Sequence, residues 1–294
     1  MATTAQWVEG ARPRTLPAAA TPVIVGSGAA AQADGFALWP ALLALGVALA
    51  LQVGVNYAND YSDGVRGTDS DRVGPLRLTA QHLTLARNVR NAAFAAFGVA
   101  GVLGFVLVAV SGTWWLLAVG VLCVAAAWYY TGGKRPYGYA GFGDVGVFVF
   151  FGLVAVLGTT YTQLAYRGDA RITWPSLLGA VAVGLLACAI LMINNVRDIP
   201  TDLPAGKMTL AVRLGDYRAR RVYVAELWLP LALGVACAFW APWTLLVLVL
   251  LLPAALLSIP VVVGAYGRAL VPVLAATGFY ELAFGVLLGL GLAL

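Results

Sequence analysis

The sequence predicts an all-α integral membrane protein, a bundle of about nine transmembrane helices with a central cavity opening to the cytoplasm. Three observations predict it. Of the 294 residues, 61% are hydrophobic and only 11% are charged, whereas soluble domains carry about 25% charged residues. Nine apolar runs approach the roughly 20 residues that a helix needs to cross the hydrocarbon core. The basic residues fall on alternate sides of those runs: with the N-terminus cytoplasmic, that side holds 16 of the 18 Lys and Arg residues and the other holds only Arg167 and Arg171. Such a bias sets membrane orientation.

The runs are approximately 16–33, 37–60, 90–110, 113–130, 142–164, 174–197, 220–240, 243–264 and 270–292. The first follows Arg12-Pro13-Arg14, and nothing before it has the basic region of a cleavable signal. The second ends in a cluster of Asn and Asp. The third and fourth are joined by a few residues, and the fourth ends in the aromatic and basic stretch from Trp128 to Pro136. The fifth and sixth flank Arg167 and Arg171, and the sixth ends in a second Asn and Asp cluster. The last three complete the bundle. Leu, Val, Ala and Gly dominate throughout, and small residues let membrane helices approach closely. Long strand alternation is absent, which excludes a barrel. A single transmembrane domain over 1–294 is expected.

Composition removes several functions. Cys123, Cys188 and Cys237 lie singly inside apolar runs, without metal-ligand spacing. His82 is the only histidine, so His-based metal sites and Ser-His-Asp triads are excluded. No mixed aromatic and basic pattern suits nucleic acid.

Two polar clusters carry the chemistry. Asn56, Asn59, Asp60 and Asp63 follow i, i+3, i+4, i+7, which places them on one helix face. Asn195, Asp198 and Asp202 follow i, i+3, i+7, with Asn194 adjacent. Acids at the ends of membrane helices are expensive and usually functional. Asp60, Asp63, Asp69, Asp198 and Asp202 offer hard oxygen donors, which suit Mg²⁺ held together with substrate phosphates. Arg66, Arg72, Arg77, Lys134, Arg135, Arg197 and Lys207 lie near them in the chain, and such cations neutralise phosphate oxygens directly. Carboxylates with Arg and Lys therefore suit a metal-bound diphosphate. Solvated helix caps or a cation relay are the alternatives; a relay prefers acids at mid-depth, where these runs are almost free of charge. Asn56, Asn59, Asn194 and Asn195 can orient the carboxylates or instead join helices. Tyr129, Tyr130 and Tyr137 can present π faces to a cation.

These residues resemble a known family. The segment from Asn56 through Asp60 and Asp63 to Asp69 is similar to the first aspartate-rich motif of the UbiA superfamily of membrane prenyltransferases, in its 1,4-dihydroxy-2-naphthoate polyprenyltransferase branch. Asn195 to Asp202, then Gly206 to Gly215, is similar to that branch's second motif. Ala11 to Pro17 and Gly74 to Leu78 also match. Many superfamily members space the first pair Asp-x3-Asp, whereas here Asp60 and Asp63 are separated by two residues; after Leu78 the chain reads Thr79-Ala80-Gln81 where the branch often has Ser-Gly.

The resemblance implies a reaction and a set of roles. Mg²⁺ and basic side chains hold a polyprenyl diphosphate, which ionises to an allylic cation. The ring of 1,4-dihydroxy-2-naphthoate attacks with loss of its carboxylate, giving demethylmenaquinone. Asp60, Asp63, Asp198 and Asp202 are implied as the metal and diphosphate ligands, with Asp69 as an additional metal ligand and Asn59 and Asn195 in support. Lys134, Arg135 and Lys207 are implied to bind diphosphate, and Arg66 or Arg77 to bind it or the aromatic carboxylate. The setting implied is a cell inner membrane with the site on its cytoplasmic side. Another aromatic acceptor, or a cation-coupled transporter, is the competing expectation.

Overall fold

The structure is a computed structural model that describes residues 2–67 and 76–294. Its described residues are helical, with no strand. The elements in order are α1 (Thr4–Gly10), α2 (Leu16–Gln32), α3 (Leu38–Arg66), α4 (Ala86–Ser111), α5 (Leu116–Tyr129), α6 (Gly143–Tyr166), α7 (Trp174–Asp202), α8 (Leu210–Leu214), α9 (Asp216–Phe239), α10 (Pro242–Val262) and α11 (Gly267–Ala293). Each of the nine apolar runs carries a helical stretch. Among the described residues, seven are long and apolar enough to cross a membrane: α3, α4, α6, α7, α9, α10 and α11. The other two are shorter, 17 residues in α2 and 14 in α5. At about 1.5 Å per residue, 14 residues reach only about 21 Å, short of the roughly 30 Å hydrocarbon core.

Apolar packing divides into a large body, a small one, and a patch of Val23, Ala44 and Leu107 where α2, α3 and α4 meet. The large core joins α2, α6, α7, α9, α10 and α11 through residues such as Val25, Leu186, Met192, Tyr223 and Phe284. The small one joins α1, α3, α4 and α5 through Tyr57, Leu78, Val89 and Phe97, with Trp7 and Trp128 packed on it. Helix α7 is the most buried of the long helices. Glycines permit the closest contacts. Gly152 of α6 lies against Gly184 of α7, in a stretch, Phe148–Leu157, wound as a π-helix. A Cβ on Gly28 of α2 would stand 2.3 Å from the Gly289 carbonyl oxygen of α11. That oxygen belongs to backbone, so the helices themselves must separate. Gly28→Ala is therefore expected to destabilise by about 1–3 kcal/mol, the usual range for overpacking, read as a lowered unfolding temperature in detergent.

A cavity of about 1900 Å³ has walls from α2 to α7 and α11, and α1 covers part of one end with Thr4, Ala5, Val8 and Glu9. Down α3, Asp63, Asn59, Asn56, Gln52, Ala48 and Ala44 all face it. This stripe changes from charged to amide to apolar over roughly 28 Å of helix at about 1.5 Å per residue. Phe105 of α4 and Leu117 and Val121 of α5 line the cavity and are exposed.

Candidate active site

Helix α3 runs through the whole first cluster and ends only at Gly67, whose φ of +72° suits a residue without Cβ. The four cluster residues share a helix face, yet the fold divides them. Asn56, Asn59 and Asp63 line the cavity. Asp60 stands about 60° round the helix from Asp63, since successive residues turn by about 100°. It faces the 76–83 segment instead, and it is 1% exposed. Its two carboxylate oxygens accept the backbone N–H groups of Leu78 (2.7 Å) and Thr79 (2.9 Å). This anchor fixes the neighbouring Arg77, whose guanidinium lies 3.8 Å from Asp63 and also lines the cavity. Asn59 accepts from the Thr131 hydroxyl at 2.8 Å.

Helix α7 carries the second cluster to its C-terminus. Asn194, Asn195 and Asp202 line the cavity. Arg197 binds both carboxylate oxygens of Asp198, at 2.7 and 2.8 Å, and the Asn194 side-chain oxygen at 2.8 Å. Asp198 is thereby held beneath a guanidinium, which itself reaches the cavity wall. Beyond α7 the chain turns back. Lys207 donates its backbone N–H to the Asp202 carbonyl at 2.9 Å, and its side chain lines the cavity while only 6% of the residue is exposed.

Tyr139 ties the two clusters together. Its hydroxyl donates to Asp63. Its ring lies 4.8 Å from the Lys207 ammonium and 5.4 Å from the Arg66 guanidinium, and its carbonyl accepts from Met208 at 2.9 Å. Tyr139, Arg12 and Arg14 line the cavity without having been singled out as site residues from the sequence, and Arg197, expected among the nearby cations, lines it too. For Tyr139 the available signal was its place two residues after Tyr137 in the same aromatic stretch.

Other expected positions lie elsewhere. Lys134, Arg135 and Tyr129 are exposed and are not part of the cavity wall. Arg66 is exposed as well and donates to the carbonyls of Thr131 and Gly133, fastening α3 to the loop after α5. Tyr137 does line the cavity. Burial, with a smaller contribution from Cys123, pushes its phenol up to about 12, so it stays protonated at neutral pH. Asp69 lies outside the described residues.

One end of the cavity thus presents Asp63 and Asp202, the side-chain amides of Asn59 and Asn195, and the cations Arg77, Arg197 and Lys207. These are oxygen donors only. Among the described residues no three carboxylate, histidine or cysteine groups converge to hold a metal by themselves. Two carboxylates with amide oxygens suit Mg²⁺, which completes its octahedron with water and substrate phosphates. Below this end the wall is apolar.

Residues 19–271 match the UbiA prenyltransferase family. The chain belongs to that family. Among its UbiA relatives is a protein of Mycobacterium tuberculosis named 1,4-dihydroxy-2-naphthoate octaprenyltransferase, 52% identical over 286 residues, which are 97% of this chain and 96% of the relative. An Escherichia coli protein of the same name is 43% identical over 231 residues, 76% of this chain and 73% of the relative. The fold is similar to the apo structure of a UbiA homolog from Aeropyrum pernix K1, with a TM-score of 0.71 at 18% identity over 93% of this chain and 96% of that one. It is also similar to a UbiA homolog from Archaeoglobus fulgidus bound to GPP and Mg²⁺, with a TM-score of 0.62 at 15% identity over 98% and 99% of the two chains. This UbiA member is an all-helical membrane protein whose polar clusters meet at one end of an apolar chamber.

Proposed function

We propose that this protein transfers a polyprenyl group from polyprenyl diphosphate to 1,4-dihydroxy-2-naphthoate, as one catalytic domain over 1–294. The reaction cleaves the C1–O bond of the diphosphate. Its electron pair leaves on the diphosphate, the naphthoate ring attacks C1, and the carboxylate departs as CO₂. The product is the reduced form of demethylmenaquinone, which places the enzyme in menaquinone biosynthesis. The observation that carries the reading is the division of one cavity into a charged end and a long apolar remainder. The names of the relatives support the naphthoate acceptor.

Each part of the wall has a role. Arg77 and Lys207 bind diphosphate oxygens and stabilise charge as it develops on the leaving group. Asp63 and Asp202, with Asn59 and Asn195, would hold Mg²⁺. Bound there, Mg²⁺ supplies positive charge to the diphosphate as the C–O bond ionises. Asp198 keeps Arg197 extended toward the same end. The apolar wall, including Phe150, Phe151 and Val154, takes the isoprenoid and keeps water from the allylic cation. The basic-residue bias supports an N-terminus and a charged end at the cytoplasmic face of the inner membrane.

The test is prenyl transfer in proteoliposomes containing Mg²⁺, labelled polyprenyl diphosphate and either the naphthoate or 4-hydroxybenzoate. Product from the naphthoate alone is expected; product only from the benzoate would overturn the acceptor assignment. Lys207→Met is expected to raise KM for the diphosphate about 10- to 100-fold, the worth of a hydrogen bond to a charged group, with KM for the naphthoate unchanged.

A further inference from the structure

Lys207 carries a charge that the fold buries without an ion pair. Only 6% of the residue is exposed, and an ammonium taken out of water needs a compensating partner. Among the described residues no carboxylate and no hydrogen-bond acceptor meets it. The contacts of Lys207 are its backbone N–H on the Asp202 carbonyl and the ring of Tyr139, 4.8 Å from the ammonium. The ammonium itself is open to the cavity. Tyr139 is fixed for this contact from several sides. It sits in a one-turn 3₁₀ helix, Tyr137–Ala140. The Gly138 N–H donates to the Tyr130 carbonyl at 3.0 Å, and a Cβ on Gly138 would stand 2.7 Å from that oxygen. The Tyr139 carbonyl accepts from Met208, the residue after Lys207, at 2.9 Å, and the hydroxyl donates to Asp63. Arg66 also lies by the ring, at 5.4 Å, but it donates to the Thr131 and Gly133 carbonyls.

We infer that Tyr139 is a positioning residue for the diphosphate: its ring holds the Lys207 charge and leaves the ammonium N–H groups free for phosphate oxygens. The inference rests on the function proposed above. A π face attracts a cation through the ring quadrupole, so the contact stabilises the charge without an acceptor oxygen. A carboxylate in that place would take N–H donors from the ammonium. Its negative charge would also repel the incoming diphosphate. The neighbouring cation shows the other solution. Arg197 is held on both oxygens of Asp198, yet a guanidinium has five N–H donors and keeps some for a ligand after such a grip. An ammonium has only three, and a ring suits it better. The hydroxyl on Asp63 sets that ring between the two clusters.

The experiment is calorimetric binding of farnesyl S-thiolodiphosphate, which resists ionisation, to the detergent-purified protein in excess Mg²⁺. Tyr139→Leu is expected to bind it about 5- to 30-fold more weakly than wild type, the worth of a desolvated cation–π contact. Tyr139→Phe keeps the ring and is expected to stay within about twofold of wild type. In a Lys207→Met background, Tyr139→Leu is expected to cost less than about twofold more, because the contact it removes is already gone. Tyr139→Phe as weak as Tyr139→Leu would overturn the inference, since the hydroxyl and not the ring would then carry the effect. An undiminished loss from Tyr139→Leu in the Lys207→Met background would overturn it too, as the mark of a merely structural role or of Arg66. Should Tyr139→Leu fail to fold, Tyr139→Phe decides alone: a loss beyond about twofold overturns the inference, and a smaller one upholds it. Wild-type protein that does not bind the thiolodiphosphate at all is a different result and strikes the proposed function instead.

Discussion

Asp63→Asn is expected to lower kcat for prenyl transfer by about 10²- to 10³-fold, the usual cost of removing one preorganised electrostatic contact to a transition state. It is also expected to raise the Mg²⁺ concentration needed for half-maximal rate. Asp63 lies at the centre of the charged end: Arg77 stands 3.8 Å from it, and the Tyr139 hydroxyl donates to it. The substitution keeps the volume and one oxygen but removes the charge that faces those groups and the proposed metal. Asp202→Asn is expected to behave similarly, because Asp202 faces the same cavity. The double variant is expected to lose far less than the product of the two single losses, since groups acting as a unit are not additive. Initial rates over a Mg²⁺ titration check this. Full activity in Asp63→Asn would remove Asp63 from the metal site.

Asp60→Ala, three residues away, is expected to fail for a different reason. Both of its oxygens are taken by the Leu78 and Thr79 backbone amides, in a site that is 1% exposed. Truncation leaves two N–H groups without their acceptor, at about 1–3 kcal/mol each. The expected result is a destabilisation of about 2–6 kcal/mol on the same basis, seen as a lowered unfolding temperature in detergent, together with lost activity as Arg77 loses its support. Excess Mg²⁺ is expected not to restore this activity. Recovery of Asp60→Ala by Mg²⁺ would instead make Asp60 a metal ligand. The two adjacent aspartates are thus separated by one titration and one melting curve.

The Asn and Asp spacing placed four residues on one face of α3, and all four do lie on that helix. A helical wheel has no information about what packs on each edge of the face. The 76–83 segment is brought to one edge by tertiary contact and takes Asp60 out of the cavity wall. The same limit applies to Asp198, which the wheel places only about 40° from Asp202 but which Arg197 covers. Lys134 and Arg135 follow α5 closely in the chain, yet they turn outward where Tyr139 turns inward.

Composition and residue order establish that this chain is a helical membrane protein, where its nine apolar runs fall, and that two acidic clusters end two of them. Hydrophobic length and charge placement are local properties, and a bilayer reads them segment by segment. The tertiary structure alone decided which members of each cluster face the shared cavity, which serve as anchors, and that Tyr139 links the two halves of the charged end. Those outcomes depend on contacts between residues far apart in the chain, where a difference of about 60° around a helix separates a buried anchor from a side chain open to substrate.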